Sequence, residues 1–167
     1  MPSHTAHASL ARLLHADACV DESIDNEGVQ PALAAIGGFI PLERFQPHGL
    51  QGSPLFTHVV KAGTTVYIAG QVAVDQDGQV VGRGDVMAQA TQVFENLRAA
   101  LAAARADISH LAKIVIFATD AGFRDAIQDV RRRYLGSPDP VASTFVVVAG
   151  LARPELLVEI DAVAVLD

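Results

Sequence analysis

The stretch LLVEIDAVAVL, residues 156–166, decides the fold class of this chain. Its run of Leu, Val and Ile is typical of a β-strand, and it is too apolar for a strand whose sheet has one face in water. Two carboxylates interrupt the run, Glu159 and Asp161. Because successive side chains of a strand point to opposite faces, both acidic groups lie on the same face. Either one of them performs chemistry, or the two form a solvated or interfacial edge of the strand.

Short β-rich runs and two helical segments precede this strand. The pair Gly63-Thr64 predicts a hairpin, and Asp77-Gly78 marks a second tight turn. Apolar residues recur at helical spacing after Asp85, which suits an N-cap, and again before Gly136, which suits a helix stop. The predicted strands span residues 55–62, 65–70, 79–82, 112–119, 144–149 and 156–165, and the predicted helices span residues 85–104 and 123–135.

The order of these elements, ββ(β)αβαββ, predicts an α/β fold with two amphipathic helices on one face of a mixed sheet. The opposite face is also apolar, as the runs IVIF (114–117) and VVVAGL (146–151) show. Such a face has to be covered, most simply by a copy of the same chain. We therefore predict a homo-oligomer.

Composition narrows the classes of partner. A chain of 167 residues, 50% of them hydrophobic, suits one domain with a sizeable core. The net charge of -7, with only 12 Lys and Arg, argues against nucleic acid. No run approaches the roughly 18 apolar residues of a membrane span, so we expect no membrane partner. Cys19 is the one cysteine and requires no oxidising compartment, which favours a cytoplasmic location.

Residues 1–45 differ in texture from the rest. The polar, turn-prone run DESIDNEGVQP (21–31) predicts an N-terminal extension of low order, and residues 46–167 are expected to form the folded domain. The extension holds His4, His7, His15 and Cys19 at spacings that a metal could use. No later ligand pair completes a zinc motif, so we favour a loosely ordered tail and predict no metal site.

Four motifs resemble the RidA/YjgF superfamily: VYIAGQVAVD (66–75), QATQVFENLRAAL (89–101), KIVIFATD (113–120) and AGLARPELLVEIDAVAV (149–165). The resemblance runs from about Phe45 to Asp167, in the family's order. It implies a chorismate-mutase-like fold and a homotrimer whose sheets line a central barrel. A small-molecule pocket is then expected in each cleft between subunits.

The resemblance also implies a chemistry, the hydrolysis of reactive enamines and imines such as 2-aminoacrylate to a keto acid and ammonia, without metal or cofactor. A glutamate in a V-E-I motif handles the attacking water, and Glu159 matches it. An arginine in a P-A-R motif grips the substrate carboxylate. Here the corresponding position is Ser143, or Ala142 when counted forward from Pro140, and neither carries a guanidinium.

Glu159 is accordingly the predicted catalytic residue. The expected substrate-binding residues are Phe56, His58, Gly70, Gln71, Gln128, Ser143 and Thr144. Ala69, Gln128 and Phe56 depart from the serine, asparagine and tyrosine common in the family, which implies a less polar pocket. Arg153, in the loop before the last strand, is an alternative source of positive charge, and its other interpretation is an exposed loop residue.

Two functions follow as hypotheses. The first is a RidA-like hydrolase or deaminase acting on a small reactive imine, enamine or related metabolite, with a substrate other than 2-aminoacrylate because the carboxylate-binding arginine is absent. The alternative is a non-catalytic trimer that binds a small metabolite or assists a pathway.

Overall fold

One mixed sheet organises the residues that the computed structural model describes, 40–136 and 141–167. Its strands are β1 (Leu42–Phe45), β2 (Val59–Ala62), β3 (Thr65–Val72), β4 (Leu111–Ala118), β5 (Ala142–Val147) and β6 (Val158–Val165). Their spatial order is β1-β2-β3-β6-β4-β5. Neighbours are antiparallel except β4 and β5, which are parallel. The last strand in sequence therefore lies in the middle of the sheet.

Two helices cover one face of this sheet, as the sequence predicts. Helix α1 spans Val86–Ala103, and Asp85 caps it by accepting hydrogen bonds from the backbone N–H groups of Met87 and Ala88. Helix α2 spans Arg124–Leu135 and ends at Gly136, whose φ of 60° suits glycine. The apolar stripes of both helices share one buried core with β3, β4 and β6. The predicted α/β class is confirmed.

The central strand β6 divides its side chains between the two faces. Val158, Ile160, Ala162 and Ala164 are buried against the helices. Glu159 and Asp161 alternate with them and share the opposite face, as strand geometry requires. This opposite face is open in the single chain: Tyr67 on β3 is 52% exposed there.

The sheet begins earlier than the sequence indicated. Strand β1 lies within the segment expected to be an extension of low order, yet it pairs along its length with β2. Its sequence LERF leaves three of four side chains exposed, so no hydrophobic alternation marks it. Backbone pairing and the ion pair between Lys61 and Glu43, 3.2 Å, hold it in place. The compact unit accordingly starts at Ile40.

The predicted strand over residues 55–62 is half as long in the structure, since β2 begins only at Val59. The preceding residues form a loop built on side-chain hydrogen bonds. The Ser53 hydroxyl accepts from the Leu55 N–H, and the Gln46 amide donates to the carbonyl oxygens of Ser53 and Phe56. Such local bonding competes with strand pairing and leaves Leu55 91% exposed.

The short strand predicted at residues 79–82 is reduced to an isolated bridge between Val74 and Val80. The turn between them is confirmed: Gly78 has a φ of 77°, and Asp75 accepts from the N–H groups of Asp77 and Gln79. Within residues 40–136 and 141–167, no helix has the length and apolar character needed to cross a membrane. His4, His7, His15 and Cys19 lie outside the described residues.

Candidate functional site

The site centres on Glu159, which reaches from β6 across the neighbouring strand β3. Its carboxylate lies over Gly70, so closely that a Cβ on Gly70 would be 1.9 Å from Glu159 Oε1. The pairing of β3 with β6 shifts register between Ile68 and Gln71, which is the irregularity expected of a β-bulge. Glycine in this bulge provides the space that the carboxylate occupies.

The surroundings of Glu159 disfavour its ionised form. Burial of the carboxyl group raises its pKa above the usual glutamate value, and the negative charge of Asp161 two residues on raises it further. A carboxylate with a raised pKa accepts a proton more readily than an ordinary surface glutamate. Glu159 therefore has the character of a general base, whereas Asp161 acts on it from the same strand face.

A cavity of about 350 Å³ opens beside this carboxylate. Its wall comprises Gln51, Phe56, Ala69, Gly70, Val72, Val74, Ala152, Arg153, Leu156 and Glu159. Most of these groups are apolar, and the charged ones are Glu159 and Arg153. The volume suits a small metabolite. Two grooves of about 580 and 510 Å³ lie along α1 near Glu95 and Arg98. Neither has a lining residue in common with the Glu159 cavity.

His58 and Gln71 support the cavity from behind. The Nε2 atom of His58 is 2.8 Å from the Gln51 carbonyl oxygen, and its Nδ1 is 3.3 Å from the Gln71 side-chain nitrogen. The same Gln71 nitrogen donates to the Ala69 carbonyl at 2.7 Å. The two ring nitrogens thus link the Gln51 backbone to the Gln71 side chain. Both ring nitrogens are thus occupied, although His58 and Gln71 line a small 60 Å³ recess next to the main cavity.

Phe56 also lines the cavity. Its ring meets the His58 ring edge-on, with centroids 5.1 Å apart, and its side chain is 50% exposed. Phe56, Gly70 and Glu159, three residues predicted from sequence, are therefore brought into one cavity.

The other predicted residues lie elsewhere in the single chain. Ser143 and Thr144 are exposed on β5, at the far edge of the sheet, where they pair with Ile114 and Val115 of β4. Gln128 lies on α2 and accepts a hydrogen bond from Arg131. None of the three lines the cavity beside Glu159.

Arg153 enters the cavity from the loop before β6. Its Nη1 donates to the Gly78 carbonyl oxygen at 2.6 Å, and the side chain is partly buried. The structure thus disagrees with the interpretation of Arg153 as a solvent-exposed loop residue. A guanidinium and a carboxylate share one cavity without forming an ion pair with each other.

Two polar residues of α1 fix the geometry. Asn96 donates to the carbonyl oxygens of Val72 and Val74 and so joins α1 to the end of β3. Gln89, which the sequence reasoning missed, is fully buried and makes three hydrogen bonds: it donates to the Gly82 and Glu155 carbonyls and accepts from the Leu157 N–H. The sequence signal for this role is the position of Gln89, a polar residue three positions after Val86 within the apolar stripe of α1.

Metal-ligand chemistry has no obvious site in the described part of the chain. No three His, Cys, Asp or Glu side chains come together there in a group able to hold a metal ion. The chemistry that the cavity offers is instead that of a base, a cation and an apolar wall.

The sequence is similar to that of known proteins over most of the described residues. The sequence model of the family described as Endoribonuclease L-PSP matches residues 50–166. Protein DfrA of Myxococcus xanthus is 42% identical over 106 residues, covering 64% of this chain and 79% of that protein. The 3-aminoacrylate deaminase RutC of Acinetobacter baylyi is 32% identical over 127 residues, 75% of this chain and 98% of that protein. The 2-iminobutanoate/2-iminopropanoate deaminase of Dermatophagoides farinae is 32% identical over 112 residues, 67% and 86% of the two chains.

The fold is similar to that of a solved structure as well. The crystal structure of RidA from a Psychrobacter species superimposes with a TM-score of 0.68 at 30% sequence identity. The match covers 74% of this chain and 99% of that one.

Proposed function

This chain belongs to the Endoribonuclease L-PSP family, together with relatives named RidA and RutC, and from that premise we propose that it hydrolyses a small reactive imine or enamine in the Glu159 cavity. The observation that carries the proposal is Glu159 itself. It lies on a buried central strand, packs over a side-chain-free Gly70, and has a raised pKa beside a ligand-sized cavity. Two relatives with deaminase names act on compounds of this class.

The proposed reaction adds water across a carbon–nitrogen double bond. Glu159 takes a proton from a water molecule as the oxygen bonds to the imine carbon, and the nitrogen gains a proton, which gives a carbinolamine. The hydroxyl proton of the carbinolamine then passes to the amino nitrogen, the carbon–nitrogen bond breaks, and ammonia leaves a carbonyl compound behind. An enamine enters the same path after it gains a proton on carbon. Water is the co-reactant, and no oxidant or reductant is needed.

The apolar wall supports this chemistry in two ways. Phe56, Val72 and Leu156 give the cavity an apolar lining, and charge interactions are stronger beside such a lining than in open water. They also keep the pKa of the Glu159 carboxyl group raised, so the group is a stronger base when it is ionised.

We propose further that the complete site lies in a cleft between subunits of a homotrimer. The open sheet face and the exposed edge strand β5 are surfaces that a neighbouring copy can cover. On such packing, Ser143 and Thr144 of a neighbour would face the Glu159 cavity, as would Gln128. A serine in place of an arginine at position 143 gives a hydroxyl rather than a charged fork, so the substrate is expected to differ from 2-aminoacrylate.

The test combines turnover and one substitution. Imines generated in place by an amino-acid or amine oxidase are supplied to the purified protein, and carbonyl product is measured with and without it. Faster product release by the wild type, lost in Glu159→Gln, supports the proposal. Equal rates for the two proteins exclude Glu159 as the base.

A second candidate is a trimer that binds a metabolite without converting it, and the observation that favours it is Ser143 at the arginine position. Ligand-induced stabilisation without any turnover would support this alternative. RNA cleavage is not proposed, because the net charge of -7 disfavours a polyanionic substrate.

A further inference from the structure

We propose that Arg153 binds the anionic group of the ligand in the Glu159 cavity, so that the ligand is a small carboxylate whose acid group is held by the loop before β6. This inference rests on the proposed function for the identity of the reacting group. Arg153 then binds the negative charge of the ligand in place of position 143, where Ser143 has no positive charge. Arg153 and Glu159 line the same cavity.

The guanidinium of Arg153 makes a hydrogen bond within the chain and keeps further N–H donors for a ligand. One nitrogen, Nη1, donates to the Gly78 carbonyl oxygen at 2.6 Å, whereas a guanidinium has five N–H donors in all. Across residues 40–136 and 141–167, no carboxylate lies within ion-pair distance of Arg153. Glu155 in the same loop pairs with Arg83 instead, at 2.8 Å. The remaining donors of Arg153 are therefore free of a charged partner in this part of the chain.

Hydrogen bonds hold the loop that carries Arg153. Gln89, fully buried in α1, clamps the loop by donating to the Glu155 carbonyl and accepting from the Leu157 N–H. The Leu156 N–H donates to the Arg153 carbonyl at 3.1 Å, which closes the loop on itself. Such fixed geometry lowers the cost of ordering the side chain when a ligand binds.

The position of the cation also suits the reaction. Glu159 and Arg153 both line the cavity and form no ion pair with each other, so one ligand in the cavity can contact both groups. An arginine meets a carboxylate with two parallel charge-assisted hydrogen bonds, and an apolar wall strengthens them. A ligand held by its acid group at Arg153 presents its other end to Glu159.

The experiment measures binding by calorimetry, independently of turnover. The probes are pyruvate and 2-oxobutanoate, whose acid group adjoins the carbonyl, and 4-oxobutanoate, in which two methylene groups separate the acid group from the carbonyl. Pyruvamide is the uncharged counterpart of pyruvate. Arg153→Gln should weaken binding of the best keto acid by about 10- to 100-fold, because charged hydrogen bonds are lost. Pyruvamide binding should not change. Arg153→Lys, which keeps the charge but not the fork, should fall in between.

The matched control is Arg83→Gln, which removes an exposed cation beside the same loop but outside the cavity. It should leave every binding constant within about twofold of the wild-type value, well below the tenfold step that 1.4 kcal/mol produces. Equal loss in Arg83→Gln and Arg153→Gln would mean that only general charge matters, and it would overturn the inference. So would unchanged keto-acid binding in Arg153→Gln, or no keto-acid binding by the wild type.

Turnover separates this inference from the proposed function. Arg153-dependent binding with no hydrolysis of any imine would leave the anion site standing and reject the hydrolase. The opposite result is hydrolysis that needs Glu159, with an unchanged KM for anionic substrates in Arg153→Gln. It would support the hydrolase and reject the anion site at Arg153.

Discussion

The contact between Gly70 and Glu159 yields a prediction that separates activity from stability. In Gly70→Ala the new Cβ would lie 1.9 Å from Glu159 Oε1 and 2.7 Å from its carboxyl carbon. Real Cβ contacts are essentially never shorter than 3.0 Å, so the carboxylate has to withdraw by about 1 Å or more. The φ of Gly70 is not in the left-handed region, so the backbone itself accepts alanine.

A displacement of this size has a known order of effect on catalysis. A misplacement of about 1 Å costs roughly 100-fold in rate, so kcat for imine hydrolysis should fall by about that factor in Gly70→Ala. Stability should change little, because the displaced atoms are the end of a flexible side chain and the backbone keeps its place. The expected shift in unfolding free energy is within about 1 kcal/mol.

The assay follows carbonyl product from an imine generated in place, together with urea unfolding of the same preparations. Gly150→Ala is the matched control, since a Cβ there meets nothing within 4 Å and the residue has no positive φ. It should retain full activity. Wild-type kcat in Gly70→Ala would refute the reasoning that Glu159 acts from its position over Gly70, and so would an equal loss in both variants.

Further predictions concern titration and the supporting hydrogen bonds. Burial, and then the charge of Asp161, raise the pKa of Glu159. The acid limb of the pH–activity profile should therefore lie above the usual pKa range of glutamate. Asp161→Asn should move this limb to lower pH. The native state disfavours ionised Glu159, so the protein loses stability as pH rises through the pKa that Glu159 has in the folded state. Glu159→Gln should therefore raise the unfolding temperature more at about pH 8 than at about pH 4. His58→Ala leaves the Gln51 carbonyl without its partner and should cost about 1 to 3 kcal/mol in urea unfolding, whereas a neutral result would contradict the assigned hydrogen bonds. Gln89→Leu keeps the volume but removes three hydrogen bonds, and it should cost at least about 2 kcal/mol by the same measurement.

The fold was largely predictable because its decisive signals are local. The apolar run of β6 and the 3.6-residue stripe of α1 each determine an element without reference to the rest of the chain. Strand β1 was missed because its side chains are exposed and its stability comes from pairing with β2, a contact that the sequence LERF does not encode. The same holds for residues 55–58, where side-chain hydrogen bonds replace strand pairing.

The site was predictable in part. Glu159 and Gly70 could be singled out from motif and strand alternation, and the structure places them in contact. The place of Arg153 could not be derived, because it depends on a hydrogen bond to Gly78, 75 residues away in sequence, and on the clamp that Gln89 makes. His58 has an alternation that indicates a strand position, but its two ring nitrogens are engaged in holding the cavity wall.

The most direct test of the central claim is steady-state kinetics of Glu159→Gln on imines generated in place, beside the wild type. Loss of the general base should lower kcat by about 10²- to 10⁴-fold, with KM largely preserved and no loss of stability at neutral pH. Wild-type kcat in this variant would contradict the claim that Glu159 activates the attacking water.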